Sequence, residues 1–156
     1  MNNKSKYIAL LFLIGFLTTS CYTVHHVVPQ TYNYSKSIEF KIDKIEEGTR
    51  IATGNGHYYT KRGEKFVFVF LTLKNNLEQK QKLDFDNFLL LNPKTRTKHK
   101  VEWAMVPGVI NIWGKVDSQI GKGDEKKRKL VFIYPSEEKA GLLMVNDTII
   151  DIEYTK

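Results

Sequence analysis

The chain has 156 residues and a formal net charge of +7, with 42% hydrophobic, 12% aromatic and 26% charged residues and a single cysteine. This length suits one domain with a short N-terminal appendage. One cysteine excludes a fold held by internal disulfides. The charge balance is mildly basic and not that of a polycation. We expect no nucleic-acid partner, because the chain begins with an export signal and an exported protein rarely meets nucleic acid.

The N-terminal segment "MNNKSKYIALLFLIGFLTTSC" has the layout of a secretory signal peptide. Lys4 and Lys6 form a positive region, residues 7–17 form an apolar run, and residues 18–20 are small. The apolar run is too short for a transmembrane helix, which needs about 20 residues. The small residues before Cys21 resemble the lipobox of bacterial lipoproteins. The resemblance implies that Cys21 is lipidated on sulfur, becomes the new N-terminus and is acylated.

The lone cysteine could also have a different origin. It could be incidental in an ordinary secretory signal, or it could be one half of a disulfide, for which the chain offers no partner. Lipidation accounts for both the presence and the position of the thiol, so residues 1–20 are predicted as signal peptide. Two or three acyl chains would anchor the protein permanently, because each buried methylene contributes about 0.8 kcal/mol.

The residues after the cysteine predict which membrane holds the anchor. Tyr22, rather than an aspartate, follows Cys21, and no acidic run comes after it. An aspartate at this place resembles an inner-membrane retention signal, and an acidic run resembles a surface-export signal. Since neither is present, we expect the protein at the periplasmic face of the outer membrane of a two-membrane bacterium.

Residues 21–37 are predicted to be the lipidated cysteine and a flexible tether, because "YTVHHVVPQTYNYSKS" is polar and aromatic without a clear period. From residue 38 the apolar residues alternate, with Ile38, Phe40 and Ile42 on one face of a half-buried strand. Residues 38–156 are therefore predicted to form the folded domain.

Short β-strands separated by turns are predicted along this domain. The segment "GTRIATGNGHYYTKRGE" predicts turns around a short strand, and Pro107 with Gly108 predicts a turn between two strands. A last hairpin is predicted to turn at Asn146 and Asp147. The best helical candidate, "PSEEKAG", would form a single turn. About seven to nine short strands predict an all-β sandwich.

The segment "KFVFVFLTL" is predicted to be a central strand, because it is apolar on both faces and rich in residues that favour strands. One face would carry Val67, Val69, Leu71 and Leu73, and the other Phe66, Phe68 and Phe70. We expect the opposing sheet to cover one face, and Trp103 or the "GHYYTK" segment to cover the other.

Three segments of the chain resemble those of a known family. They are the strand "GEKFVFVFLTLKNN", the strand and basic turn "LDFDNFLLLNPKTRTKH", and "IGKGDEKKRKLVFIYP", a glycine-containing loop before a strand that ends at proline. Residues 63–154 thus resemble a family of immunoglobulin-like, telokin-like domains of unknown function, found on bacterial lipoproteins and exported antigens. The resemblance implies an immunoglobulin-like β-sandwich without established catalysis, and it assigns no catalytic residues.

The histidines do not have the spacing of a metal site. His25 and His26 are adjacent, whereas His57 and His99 are far along the chain, and zinc ligands usually cluster at short intervals. We therefore expect no metal or other cofactor, and solvated histidines in the tether. The "GNG" segment at residues 54–56 lacks the Lys and Ser/Thr pair of a phosphate-binding loop, so it is predicted to be a hairpin tip.

Two charged patterns have a possible chemical use. Asp84 and Asp86 lie two residues apart, so a strand would place both carboxylates on one face, where a pair can do acid–base work. The run "KGDEKKRK", with cations at residues 126–129, could contact anionic lipid or polysaccharide. We favour solvated carboxylates in the first case and a solvated loop beside a strand edge in the second.

Trp103 and Trp113 lie on two strands predicted to flank the turn at Pro107 and Gly108. They could fill the core or pair across a hairpin. An exposed aromatic pair could instead bind a glycan or a peptide. The sequence favours a place in the core.

Together these patterns predict a lipid-anchored cell-envelope protein whose β-sandwich binds a protein or glycan partner without catalysis. The alternative is a structural or accessory subunit of a larger envelope assembly. An envelope hydrolase is a weaker hypothesis, because no "GxSxG" nucleophile elbow occurs in the chain.

Overall fold

A computed structural model describes residues 22–53, 56–109, 116 and 118–155 of this protein. The predicted signal peptide and Cys21 lie outside the described residues. Apolar runs and alternating segments form antiparallel strands, and a 3₁₀ turn covers Phe85–Asn87. The strands are β1 Tyr22–His26, β2 Thr31–Asn33, β3 Ile38–Gly48, β4 Arg50–Thr53, β5 Gly56–Tyr59, β6 Glu64–Asn75, β7 Gln81–Lys82, β8 Phe88–Leu91, β9 Lys98–Met105, β10 Gln119–Ile120, β11 Glu125–Pro135, β12 Leu142–Val145 and β13 Thr148–Asp151.

The main strands form one curled sheet in the order β1-β3-β6-β11-β9-β8-β12-β13, and β2 also pairs with β3. Strand β9 makes the corner, because its C-terminal half pairs with β11 and its N-terminal half pairs with β8. The first five strands thus face the last three as the two layers of a β-sandwich. This confirms the predicted fold class, although the described strands outnumber the prediction because several are only two to four residues long.

The two outer edges of the curled sheet meet. Val27 forms an antiparallel bridge with Tyr154. The backbone N–H of Val28 donates to the carbonyl of Glu153 at 2.8 Å, and that of Thr155 donates to the carbonyl of His26 at 3.0 Å. Residues near the two ends of the described chain therefore hold the sandwich together along this side.

The central strand has the two predicted faces. Val67, Val69, Leu71 and Leu73 point into the main core, where the second sheet covers them with residues such as Phe88. The opposite face carries Phe66, Phe68 and Phe70 in a second apolar cluster with Ile51, Met105, Val131 and Trp103. This second cluster is called the outer cluster below. Its cover is the predicted one, since Trp103 lies 5.9 Å from Phe66 and 6.0 Å from Tyr58 between ring centroids.

The prediction of a tether up to residue 37 is wrong for the described residues. Strands β1 and β2 both pair with β3, whose other edge is taken by β6. Val27 and Tyr34 are buried, and the Tyr34 ring stacks on Phe88 at 5.5 Å. The free edge of the long strand β3 needs backbone partners, and the residues after Cys21 supply them. Residues 22–37 therefore belong to the folded domain, and the described pairings and apolar clusters lie within residues 22–155.

The charged run before Leu130 is a strand and not a solvated loop. Glu125 to Lys129 pair in register with Lys74 to Phe70 of β6. The pattern predicted a loop because four cations follow one another. Long aliphatic stems can lie along a sheet, so the strand continues through them. Lys127 is exposed, whereas Arg128 is buried and its guanidinium donates to the Lys127 carbonyl at 2.9 Å.

Asp84 and Asp86 do not share a strand face. Asp84 caps the 3₁₀ turn, and its side-chain oxygen accepts a hydrogen bond from the backbone N–H of Asp86 at 2.9 Å. Aspartate is a favoured residue at such a cap. Both side chains are exposed, as expected, and their arrangement is that of a turn. The hairpin predicted at Asn146 and Asp147 is confirmed, since both have positive φ between β12 and β13, which these residues tolerate.

Candidate binding groove

A groove of about 330 Å³ lies on the outer face of the first sheet, over the outer cluster. Strand β6 supplies its floor, the hairpin of β4 and β5 forms one wall, and the turn after β9 forms another. The predicted turn at Pro107 and Gly108 is present, with a positive φ at Gly108. The groove is lined by Tyr22, Glu46, Ile51, Ala52, Phe68, Met105, Gly108, Val109 and Lys129.

The floor of the groove is apolar and fixed. Phe68, Ile51 and Met105 are buried side chains. The Tyr22 ring meets Phe68 edge to face, with centroids 5.4 Å apart and planes at 75°, which is a favourable aromatic geometry. The Tyr22 hydroxyl donates to the backbone carbonyl of Arg50 at 2.7 Å. This bond ties β1 to β4 and holds Tyr22 as a wall of the groove.

One rim of the groove carries opposite charges. The Lys129 ammonium lies 5.5 Å from the centroid of the Phe68 ring. Burial lowers the pKa of Lys129; Glu46 opposes this shift and Lys44 adds to it. The Lys44 ammonium binds a carboxylate oxygen of Glu46 at 2.6 Å and lies 4.5 Å from the Phe70 centroid. An apolar floor with a cation and a carboxylate at its edge can bind a segment that is itself partly apolar and partly charged.

The outer cluster continues past the groove into exposed aromatic residues. Tyr58 contacts Trp103, and the Tyr59 side chain on the same short strand is 66% exposed. Trp103 is half-buried in this cluster, outside the main core that the sequence favoured for it. Trp113 lies outside the described residues.

A polar cluster lies between the sheets beside β1. The Lys65 ammonium binds a carboxylate oxygen of Glu47 at 2.7 Å, and Nε2 of His25 lies 3.6 Å from the same oxygen. The Tyr154 ring lies 5.4 Å from His25, and its hydroxyl donates to the Ala140 carbonyl. Burial first and Glu47 second raise the pKa of the Tyr154 hydroxyl. That hydroxyl is hydrogen-bonded to a carbonyl, and His25, Glu47 and Lys65 connect β1, β3 and β6.

The histidines of the sequence analysis are not brought together. His25 is half-buried in the polar cluster, so the expectation of a solvated tether residue is wrong for it, whereas His26 is exposed. His57 is exposed on β5, and His99 lies 4.7 Å from the Tyr134 ring. In the part of the chain that the structure describes, no group of three or more His, Cys, Asp or Glu side chains could hold a metal ion.

Several of the remaining candidate residues lie outside the described residues. Gly54 and Asn55 are outside it, and Gly56 begins β5. Cys21 is outside it as well, next to Tyr22. The described residues include no helix that is long and apolar enough to cross a membrane.

Two solved structures share the fold. A conserved hypothetical protein from Bacillus anthracis matches 89% of this chain and 100% of its own length, with 13% identity and a TM-score of 0.63. An uncharacterized β-sandwich protein from Clostridium difficile 630 matches 85% of this chain and 94% of its own, with 15% identity and a TM-score of 0.55. No family model and no curated protein matches the chain. At these identities the likeness shows a β-sandwich fold and nothing finer.

Proposed function

We propose that this protein is a non-enzymatic, lipid-anchored binding module of the bacterial cell envelope. Cys21 carries the lipid, the anchor sits at the periplasmic face of the outer membrane, and the β-sandwich binds a partner in the groove over the outer cluster. The sandwich belongs, in this proposal, with the immunoglobulin-like, telokin-like domains of exported proteins. The leader sequence and the lone cysteine support the anchor.

The groove carries the binding part of the proposal. Its floor of Ile51, Phe68 and Met105 is apolar, and Glu46 and Lys129 stand at its rim. Sugar binding needs several hydrogen-bonding side chains around an aromatic ring, whereas an extended peptide needs an apolar pocket and a few charges. We therefore assign the groove to a peptide segment of an envelope protein, with an apolar side chain on the floor.

Substitutions at the rim test the groove without touching its floor. Val109 in the groove is 43% exposed, and Ile149 on β13 is 51% exposed, so the two offer a matched pair. Peptides selected from a random library on the wild-type domain should bind Val109→Glu at least about tenfold more weakly, because the bound peptide would bury the new carboxylate beside the apolar floor. They should bind Ile149→Glu as they bind the wild type. Selected peptides that bind both variants equally would contradict the assignment.

The anchor is tested separately. Cys21→Ala should abolish incorporation of labelled fatty acid and release the protein from membranes, because the acyl chains on Cys21 are the proposed anchor. A variant that still incorporates the label would show that the lipobox interpretation is wrong. The rival role, an accessory subunit of an envelope assembly, is tested by purifying the protein from detergent-solubilised membranes. A stoichiometric complex that survives Val109→Glu would favour this role.

A further inference from the structure

The strand registers sort the loops of the sandwich into two ends. Tyr22 pairs with Gly48, where β3 finishes, and Gly48 pairs with Phe66, near the start of β6. The N-terminal segment therefore joins the fold at the end formed by residues 48–50, 59–64, 92–98 and 135–141, which is called the proximal end below. The distal end is formed by residues 33–38, 75–87, 118–125 and 145–148.

The loops of the proximal end are joined to one another. The Thr60 N–H donates to the Thr49 carbonyl at 3.0 Å, and the Ser136 N–H donates to the Gly63 carbonyl at 2.9 Å. The Lys94 ammonium binds Glu138 at 3.1 Å. These contacts run from the hairpin of β4 and β5 to the loop after β8, so the proximal end is one continuous surface.

The two ends carry opposite charge. The exposed cations of the proximal end outnumber its carboxylates, of which Glu137 is exposed and Glu64 and Glu138 are half-buried. The distal end has the reverse balance, with the lysines 36, 80, 82 and 122 against the carboxylates of residues 78, 84, 86, 124, 125 and 147. The exposed cations of the proximal end are Lys61, Arg62, Lys94, Arg96, Lys98 and Lys139.

Two further features place this surface beside a bilayer. The chain enters β1 at the residue that follows Cys21, so the proposed lipid would have no spacer to lift the domain away. Tyr58 and Tyr59 are exposed on β5, where Tyr59 pairs with Arg50 of the proximal end. Tyrosine rings favour the interface between lipid and water, since they are apolar with a polar tip.

We propose that the proximal end lies against the membrane and binds anionic phospholipid headgroups. The orientation rests on the proposed anchor at Cys21, but the charged surface can be tested without it. Basic side chains near an anionic leaflet are attracted within a Debye length, so the binding falls as salt rises. The distal end, with its excess of carboxylates, points away from the same field.

Vesicle co-sedimentation of residues 22–156 tests this surface without an acyl chain. The domain should bind vesicles of phosphatidylcholine and phosphatidylglycerol in equal parts at low ionic strength. It should not bind vesicles of phosphatidylcholine alone. The triple variant Lys61→Glu, Arg62→Glu and Lys98→Glu should bind at least about tenfold more weakly. The matched variant Lys36→Glu, Lys80→Glu and Lys82→Glu makes the same charge change at the distal end and should bind within about twofold of the wild type.

All six side chains are exposed, so both variants should keep the β-type circular dichroism spectrum of the wild type. Equal losses in the two triple variants would overturn the proposal, because total charge and not the proximal end would then control binding. Wild-type binding to pure phosphatidylcholine would overturn it as well. Tighter binding to a soluble anionic polysaccharide than to the mixed vesicles would replace the lipid as ligand. None of these outcomes depends on fatty-acid labelling of Cys21, which tests the anchor alone.

Discussion

The two faces of β6 are both apolar, yet they are covered in different ways. The inner face packs against a complete second sheet, and Val67, Val69, Leu71 and Leu73 have almost no exposed surface. Among the described residues, the outer face is covered by Trp103, by the short hairpin of β4 and β5, by Tyr22 and by the turn after β9, which leave a groove over Phe68. One strand thus faces a complete second sheet on one side and a partly covered groove on the other.

The inner face should tolerate truncation least. Phe132 on β11 is fully buried in the main core beside the inner face of β6. Phe132→Ala should lower the free energy of unfolding by about 3–5 kcal/mol, because it removes a large buried ring and leaves a cavity. Chemical denaturation followed by circular dichroism measures this loss. Since single domains have only about 5–15 kcal/mol of stability, a partly unfolded variant would agree with the prediction, and an unchanged midpoint would contradict it.

Truncation on the outer face should cost less, although the ring removed is the same. Phe68→Ala should lower the free energy of unfolding by about 2–3 kcal/mol, because the groove already admits solvent beside this ring and the hairpin can settle into the space. The same denaturation experiment gives the value. A loss larger than that of Phe132→Ala would show that the outer cluster, and not the inner core, dominates the stability.

The inner side of the sandwich should also disfavour protonation of His99 on β9. Burial lowers the pKa of His99, which lies beside the Tyr134 ring, and a backbone hydrogen bond with Ile133 opposes part of that shift. The unfolded chain titrates this histidine near its ordinary pKa of about 6.5. As the pH falls below that value the unfolded state binds the proton first, so the stability should decline until the pH passes the lower folded pKa.

The variant His99→Gln should have a shallower decline of unfolding free energy below about pH 6.5. Measuring denaturation midpoints of wild type and variant across this range compares the two slopes. Parallel pH profiles would show that His99 is protonated as easily in the folded protein as in the unfolded chain.

The smallest effect is expected at the charged end of β11. Lys127 is exposed on the outer face of the strand, so Lys127→Ala should change the free energy of unfolding by no more than about 0.5 kcal/mol. Thermal unfolding of the variant gives the comparison. A loss near that of Phe68→Ala would mean that the lysine stem covers apolar surface in the outer cluster.

The sequence predicted the strands that carry apolar patterns. β6, β11 and the hairpin at Asn146 and Asp147 were expected because buried residues recur at the strand period or because the turn residues are specific. β1 and β2 were missed because an edge strand with few buried side chains has no such pattern. A strand was predicted over "KRKLVFIYP", from Lys127 onward, so the first residues of β11, Glu125 and Lys126, were missed because they lie in a run of charges.

The groove was only half foreseeable. The phenylalanines on one face of β6 predicted that Trp103 or the segment around Tyr58 would cover them, and both do. A pattern along the chain says which residues are apolar but not how completely a distant hairpin covers them. The concave shape depends on Tyr22, Ile51 and Val109, which belong to three separate segments of the chain. No local sequence pattern shows that these segments meet.

The bridge between Val27 and Tyr154 has a consequence for how the molecule assembles. Almost the whole domain lies between these two residues, so the contact closes one of the longest loops the chain can form, and long-range pairing of this kind slows folding. The bridge can form only once the C-terminal residues are available. Until then β1 has an open edge along its free side, and such an edge invites pairing with another chain. Residues 153–155 therefore cover the end of this edge, at residues 26–28, only after the C-terminal part of the chain has been made.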